Sequence, residues 1–225
     1  MSIYIGYDPR LEIAYEVCKY SIEQRSNIEV KKLYSKDIAE YSRNLGEPQS
    51  TDFTFTRFWV PLLSEQKGYS IFVDCDFLFL DDPQKLIDIA KSDPSKAVWL
   101  SKHPNYIPNS TRKMDNISQN SYYRKNWASL MVFNNSHPDC RMSASYLNTH
   151  TPGIHFHKFT WTESIGSLPL EWNCLDGYYH LENPKAIHYT DGGPWFEGYV
   201  DTMYSDLWIM EYQKYLTKQH TGCII

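Results

Sequence analysis

The 225-residue sequence has no C-x-x-C pair, no stretch that gathers its basic residues into a stripe, and no apolar run of 18 residues. Its five cysteines (Cys18, Cys75, Cys140, Cys174, Cys223) are odd in number and widely spaced, which argues against a disulfide framework or a thiolate zinc site and fits a reducing compartment. With 22 Lys plus Arg against 27 Asp plus Glu, the net charge is -5, and the electrostatic footprint of a nucleic-acid binder is missing. The lack of a long apolar run leaves no candidate membrane-spanning segment. The opening MSIYIGYD runs straight into a strand-like segment without a secretory signal pattern, so a soluble, cytoplasmic protein is expected. Repeats and low-complexity tracts are absent too.

What the chain does have is aromatic residues: 18 Tyr, 10 Phe and 7 Trp. Flat apolar rings suit a core, and they equally suit the faces of sugars and bases. At this length a chain buries a sizeable core without metal or disulfide support, so a bound metal is expected to do chemistry.

Apolar spacing predicts a strand at residues 3–7 ending at Asp8-Pro9, a helix from Arg10 to Gln24, and a second strand from Ile28 to Tyr34. A polar loop from Ser42 to Asp52 precedes a predicted helix, Thr54 to Gln66, in which Pro61 implies a kink or a late start. The most apolar stretch, YSIFVDCDFLFL at 69–80, reads as a buried strand in its first half, and Asp82-Pro83 starts a helix from Gln84 to Lys91. Further strands are predicted at Ala97 to Ser101, Ser129 to Asn134 and Ala186 to Tyr189, and further helices at Asp139 to Leu147 and Tyr204 to Lys218. The polar stretch from Asn105 to Asn126 is too long for a simple connection, and the region from Thr151 to Asn173 reads as irregular. Strands alternating with helices predict an α/β fold with a mainly parallel sheet, whose ligands bind beyond the carboxyl ends of the strands.

Asp74-Cys75-Asp76 stands at such a strand end. With 15 Asp in the chain a D-x-D arises about once by chance, so the context decides. Two carboxylates closing a hydrophobic strand are costly unless a positive group shares the site, and aspartate oxygens suit Mg²⁺ or Mn²⁺. The plainer alternative is that both aspartates cap the following turn. Ala186-Ile187-His188 delivers a histidine shortly before Gly192 and Gly193. An imidazole added to two carboxylates favours Mn²⁺ over Mg²⁺, and glycines let backbone N–H groups approach a phosphate. A turn with a satisfied histidine is the alternative here.

Six segments in this order, IYIGYDPRLEIAYEVC, TDFTFTRFWVP, IFVDCDFLFLDD, RKNWASLMVFN, LPLEWN and HYTDGGPWF, resemble the GT-A glycosyltransferases, in particular the family-eight-like group and its bacterial and viral relatives. The resemblance covers nearly the whole chain. It implies a single Rossmann-like GT-A domain over 1–225 with a mixed, mostly parallel sheet flanked by helices. Residues 1–102 would be the nucleotide-sugar half, and 103–225 the acceptor half, carrying the third metal ligand. It implies a metal-dependent hexosyltransferase that uses Mn²⁺, with Mg²⁺ as the alternative ion, a UDP-sugar, with UDP-glucose the leading donor, and a carbohydrate acceptor, with retained anomeric configuration. Asp74, Asp76 and His188 would hold the metal; Ile5, Gly6, Tyr7, Asp8, Arg57, Asp74, Cys75, Lys102, Gly192 and Gly193 would border the donor. One departure is visible: family members carry a lysine before the final Pro-Trp, and HYTDGGPW has none. The metal, or Lys102, Arg57 or Lys158, would then neutralise the departing phosphate.

Trp127, Ser129, Trp161, Trp172 and Asn173 are the expected acceptor residues; Trp172-Asn173 matches a family segment beside that site, with core packing the alternative for Trp172. Glu163 and Asp176 are the candidate catalytic carboxylates. The histidines His150, His155 and His157 show no zinc-binding spacing. DCDFLFLDD also fits an aspartate-nucleophile phosphatase, and a non-transferring nucleotide-sugar binder or hydrolase on the same fold is a third reading.

Overall fold

The computed structural model describes residues 1–44, 46–47, 49–103, 106–108, 110, 112–113, 117–118 and 124–221. Much of the polar 105–126 stretch, and Cys223, lie outside the described residues. The elements are β1 (Ser2–Gly6), α1 (Glu12–Glu23), β2 (Glu29–Leu33), α2 (Val60–Leu63), β3 (Tyr69–Val73), β4 (Phe77–Phe79), α3 (Gln84–Lys91), β5 (Val98–Ser101) and the short pair β6 (Arg112–Lys113) and β7 (Ile117–Ser118). There follow β8 (Leu130–Asn134), α4 (Ala144–Thr149), α5 (Ile154–His157), β9 (Ile165–Leu168), β10 (Cys174–Leu175), β11 (Ala186–His188) and α6 (Ser205–Thr221).

A six-stranded sheet has the order β2-β1-β3-β8-β5-β9. Strand β8 runs against both of its neighbours, and the other pairings are parallel, so the sheet is mixed and mostly parallel. Three of its four central strands bury every residue on both faces: β1, β5 and β8 read as unbroken internal runs. Such runs are what a sheet covered on both sides requires. Helix α1 packs on β1, β2 and β4, α2 on β3 and β8, and α3 on β3, β8 and β9. A second, three-stranded sheet, β10-β11-β4, has its own core of Val17, Leu78, Ile187, Tyr189, Tyr204 and Trp208. Helix α6 closes this side, tied to the end of α1 by a 2.6 Å ion pair between Arg25 and Glu211.

Three expectations change. The helix at Thr54 to Gln66 is a 3-10 turn over Thr56–Trp59 followed by only four α residues, Val60–Leu63, with Pro61 in its first turn. Aromatic and β-branched residues there favour burying Phe53, Phe55, Phe58 and Trp59 in the core over a regular helix. Asp139 to Leu147 splits into a 3-10 turn at Pro138–Cys140 and α4. The irregular region 151–173 contains α5 and the edge strand β9. The four described cysteines are buried and unpaired.

Candidate metal centre

Strand β3 ends at Val73, and Asp74 follows it at the carboxyl edge of the large sheet. Asp76 immediately precedes β4, which pairs antiparallel with β11 in the register Ala186↔Phe79, Ile187↔Leu78, His188↔Phe77. That register carries the histidine to the aspartates. Tyr189 N donates to Asp76 O at 2.9 Å, and the His188 ring stacks on Phe77 with centroids 4.4 Å apart. Asp74 N donates to Ser129 O at 2.9 Å, fixing the other end of the motif to the start of β8. One ligand atom from each of Asp74, Asp76 and His188 then lies within 4.8 Å of the others.

A chain of hydrogen bonds sets the imidazole. His188 Nδ1 lies 3.0 Å from Asn173 Oδ1, while Asn173 Nδ2 donates to Ser129 Oγ at 3.0 Å, and Ser129 Oγ donates to Asn126 O at 2.7 Å. The amide nitrogen is committed to Ser129, so Asn173 presents its oxygen to the ring and Nδ1 carries the proton. This leaves Nε2 facing Asp76 Oδ1 at 3.5 Å. Buried Asp74 Oδ1 and Asp76 Oδ1 have no hydrogen-bond donor. A buried carboxylate without a donor is expensive, and a positive charge completes this contact, whether as a proton on Nε2 or as a cation in its place.

Arg57 supplies part of that charge. Its Nη1 stands 3.1 Å from Asp74 Oδ1, but its hydrogen bonds go to Phe53 O from Nε (3.2 Å) and Ala128 O from Nη1 (2.8 Å). The guanidinium is packed against the rings of Phe53 and Phe72. Burial lifts the Asp74 carboxyl to about 6 despite the opposing pull of Arg57. Burial pushes Asp76 the same way, but His188 and then Lys113 outweigh it and hold Asp76 below the usual carboxylate range. Two hard oxygens and one imidazole nitrogen, two of them lacking donors, fit a divalent cation such as Mn²⁺ or Mg²⁺.

Of the other predicted donor residues, Ile5, Gly6, Tyr7 and Asp8 lie at the carboxyl end of β1. Ile5 is fully buried, and Gly6 is required because a Cβ there would sit 2.4 Å from the Phe53 ring. Half-buried Tyr7 meets Tyr15 and Tyr34 edge-on, each at 5.2 Å, with Lys32 Nζ 4.9 Å from its centroid. Buried Asp8 accepts two hydrogen bonds from the Arg10 guanidinium and one from Asp52 N. Cys75 is fully enclosed, and burial drives its thiol pKa well up. Lys102 follows the carboxyl end of β5. Gly192, at φ +137°, donates its N–H to Tyr189 O, so that donor is used within the turn; Gly193 packs on the Trp195 ring.

The expected acceptor and catalytic residues separate. Ser129 and Asn173 lie in the hydrogen-bond chain behind His188, so both are positioned to orient the ring. Trp172 is fully buried and tilts against Phe79, with no face open to a sugar. Half-buried Trp127 stacks with Arg124, and Trp161 bonds Phe156 O through its indole N–H at 3.3 Å. Asp176 N bonds His188 O, but its carboxylate accepts from Tyr204 N at 2.9 Å ahead of α6. Glu163 is exposed and precedes β9, a strand parallel to β5, so it stands at the amino edge of the sheet, opposite the aspartates. His157 is buried between Phe55 and Phe58, and burial lowers its pKa to about 3; no metal cluster forms there among the described residues.

Two groups escaped the sequence reading. Tyr178 donates to Asp191 at 2.6 Å beside Tyr106 and Lys125, and Lys113 acts on both motif carboxylates. The clue available was a pair of lysines in an overlong polar segment.

Among solved structures, the chain resembles the glycosyltransferase GlyE of Streptococcus pneumoniae TIGR4 (TM-score 0.63, 14% identity), covering 99% of this chain and 64% of that one. It resembles galactosyltransferase LgtC in complex with donor and acceptor sugar analogues (TM-score 0.59, 12% identity; 95% and 96% covered). It also resembles the bifunctional glycosyltransferase WbbM (TM-score 0.62, 15% identity), covering 94% of this chain but only 49% of WbbM. These likenesses establish a GT-A-like glycosyltransferase fold. No family model matches the chain. Protein CDI of Arabidopsis thaliana is 41% identical over 227 residues, spanning 95% of this chain and 86% of that protein. At that identity over nearly the full length of both, the chain belongs to the family of Protein CDI.

Proposed function

We propose that this protein is a metal-dependent glycosyltransferase that moves a hexose from a UDP-sugar, UDP-glucose first among them, to a carbohydrate acceptor with retention of configuration. The observation that carries this is the gathering of Asp74, Asp76 and His188 at the carboxyl edge of a GT-A-like sheet. The GT-A-like fold supports the reaction class, and the resemblance to the family-eight-like group supports the donor and the stereochemistry.

Asp74, Asp76 and His188 would hold Mn²⁺, and a divalent ion there supplies Lewis-acid stabilisation of the diphosphate as it departs. Asn173 keeps the Nε2 lone pair of His188 turned toward the carboxylates. Arg57 holds Asp74 in place without leaving its carbonyl partners. The Tyr7 and Tyr34 rings offer apolar faces at the strand ends where a nucleobase would lie. In the transfer, the bond from anomeric carbon to diphosphate oxygen breaks with its electron pair on the phosphate. The acceptor hydroxyl forms the new C–O bond and passes its proton to the departing diphosphate oxygen.

The test is incubation with Mn²⁺ and a panel of UDP-, GDP- and TDP-sugars, following nucleotide release with and without glycan acceptors. Acceptor-dependent release that Asp76→Ala and His188→Ala each abolish is the expected result. Unchanged nucleotide-sugar binding in both variants, or hydrolysis of p-nitrophenyl phosphate without any sugar donor, refutes the proposal.

A further inference from the structure

We propose that His103 is a sugar-recognition residue of the transfer site, its Nε2 accepting a hydrogen bond from a hydroxyl of the donor hexose. The inference rests on the glycosyltransferase reading and deepens it by naming a group that selects among hexoses.

His103 stands two residues beyond the carboxyl end of β5. That strand runs in the same direction as β1 and β3, because β3 and β5 are both antiparallel to β8 and β1 is parallel to β3. His103 therefore lies on the same sheet edge as Asp74. Ser101 Oγ, at the end of β5, donates to Pro169 O at 3.1 Å and ties this strand end to the segment that leads into Asn173.

Hydrogen bonds fix the ring. Tyr179 Oη lies 3.1 Å from Asn173 O, a carbonyl that can only accept, so this bond uses the one proton of the phenol. His103 Nδ1, 2.6 Å from the same Oη, is then the donor, and Nε2 keeps a bare lone pair. His103 is 7% exposed, and Nε2 is buried with no hydrogen-bond partner among the described residues. Burial lowers the pKa of this imidazole to about 3, which keeps it neutral. Asn173 thus orients two rings, His188 through its side-chain oxygen and His103 through its carbonyl and Tyr179.

The strand order identifies the ligand. Tyr34 follows β2, Tyr7 follows β1, Asp74 follows β3, and β8 and β5 come next across the sheet. A nucleotide-sugar with its base at the tyrosines and its diphosphate at the aspartates extends its sugar toward β8 and β5. Strands lie about 4.8 Å apart, so the end of β5 is roughly 10 Å past that of β3 and beyond the phosphates. The chemistry agrees with the position. A phosphate oxygen brings only lone pairs to Nε2, whereas a sugar hydroxyl brings a proton. A hexose that lacks that hydroxyl, or holds it in the other configuration, leaves the buried acceptor unmet and binds less well.

The experiment is titration calorimetry of the full-length protein with Mn²⁺ alone, then in the presence of Mn²⁺ with UDP, UDP-glucose and the monodeoxy analogues of UDP-glucose. The proteins are wild type, His103→Phe, which keeps a ring and removes the acceptor, and His103→Gln, whose amide oxygen restores one. Calorimetric melting verifies that each variant is folded. Wild type is expected to bind one of the deoxy analogues about tenfold more weakly than UDP-glucose, about 1.4 kcal/mol. His103→Phe should lose about tenfold for UDP-glucose and hold that analogue within about twofold of it, while His103→Gln recovers part of the loss. Affinities for UDP and for Mn²⁺ alone should stay within about twofold of wild type in both variants. The deoxy series in wild type and the glutamine variant decide the matter even where phenylalanine is not accommodated. Wild type holding UDP-glucose and every deoxy analogue with one affinity overturns the assignment. So does a folded variant that loses UDP and UDP-glucose equally or loses Mn²⁺ itself, and so does wild-type affinity for UDP-glucose in His103→Phe. In each of those cases UDP still binds the wild type with Mn²⁺ and the glycosyltransferase reading stands. If wild type binds no UDP with Mn²⁺, that reading fails and this inference fails with it.

Discussion

The two edges of the large sheet treat buried polar groups in opposite ways. At the amino edge the groups are neutral and, apart from Asn135 Oδ1, mated. Asn135 Nδ2 donates to Lys67 O at 3.0 Å and to Ser70 Oγ at 2.9 Å, Ser64 and Ser70 hydroxyls meet at 2.8 Å, and Asn134 Nδ2 donates to Pro94 O at 3.1 Å. At the carboxyl edge the groups are charged, and Asp74 Oδ1 and Asp76 Oδ1 have no donor. The first arrangement stitches strand ends to loops and stabilises the fold. The second leaves one oxygen of each carboxylate without a hydrogen bond, beside the Arg57 guanidinium and the His188 ring, and such groups interact strongly with whatever cation arrives.

The contrast can be broken by substitution. Asp76→Asn is expected to reduce metal-dependent transfer by about a thousandfold. It should also lower the melting temperature of the metal-free protein at neutral pH, because the ionised carboxylate is held below its usual pKa range by His188 and so contributes stability; turnover and calorimetric melting check both halves. Asn173→Ala is expected to weaken Mn²⁺ binding by about 10- to 100-fold, as loss of a group that orients a metal-ligating histidine typically does, read by titration calorimetry. The amino edge should answer through stability alone: Asn135→Ala costs about 1–3 kcal/mol in urea unfolding, with Mn²⁺ affinity unchanged.

The smallest effect sharpens the comparison within the carboxyl edge. Burial raises the Asp8 pKa, but hydrogen bonds from Arg10 and from the Arg10 and Asp52 backbone prevail and hold it below the ordinary range. A depressed folded-state pKa gives stability that is present above the unfolded pKa of about 3.9 and is lost as pH falls through the folded value. Urea unfolding at pH 6 and at successive steps below pH 4 should therefore show a smaller acid loss in Asp8→Asn than in wild type. An identical acid limb in both would remove Asp8 from the mated class.

Much of this architecture is legible from local pattern. The apolar runs at 3–7, 69–73, 97–101 and 129–134 correspond to β1, β3, β5 and β8, because strands buried on both faces leave an uninterrupted signal. Helices α1 and α6 show themselves by spacing. Strand β11 falls within the predicted strand Ala186 to Tyr189, whereas β4 and β10 have three and two residues, too few for any period to register, and β9 is hidden among aromatic residues. The proximity of Asp76 and His188 depends on the pairing of β4 with β11, which only the resemblance to a known family could suggest. Glu163 and Trp172 show the limit of residue type as a guide: an acid and an aromatic in the expected half of the chain stand at the far edge and inside the core.

The three-residue ladder between β4 and β11 has a consequence for how this family tolerates change in length. Side chains alternate along a strand, so one residue gained or lost within Ala186–His188 would turn the imidazole to the opposite face and leave both aspartates without it. The exposed connection at Glu182 and Asn183 carries no such constraint. Insertions and deletions should therefore accumulate just before this strand and be purged within it, making its length, more than its composition, the heritable mark of a working site.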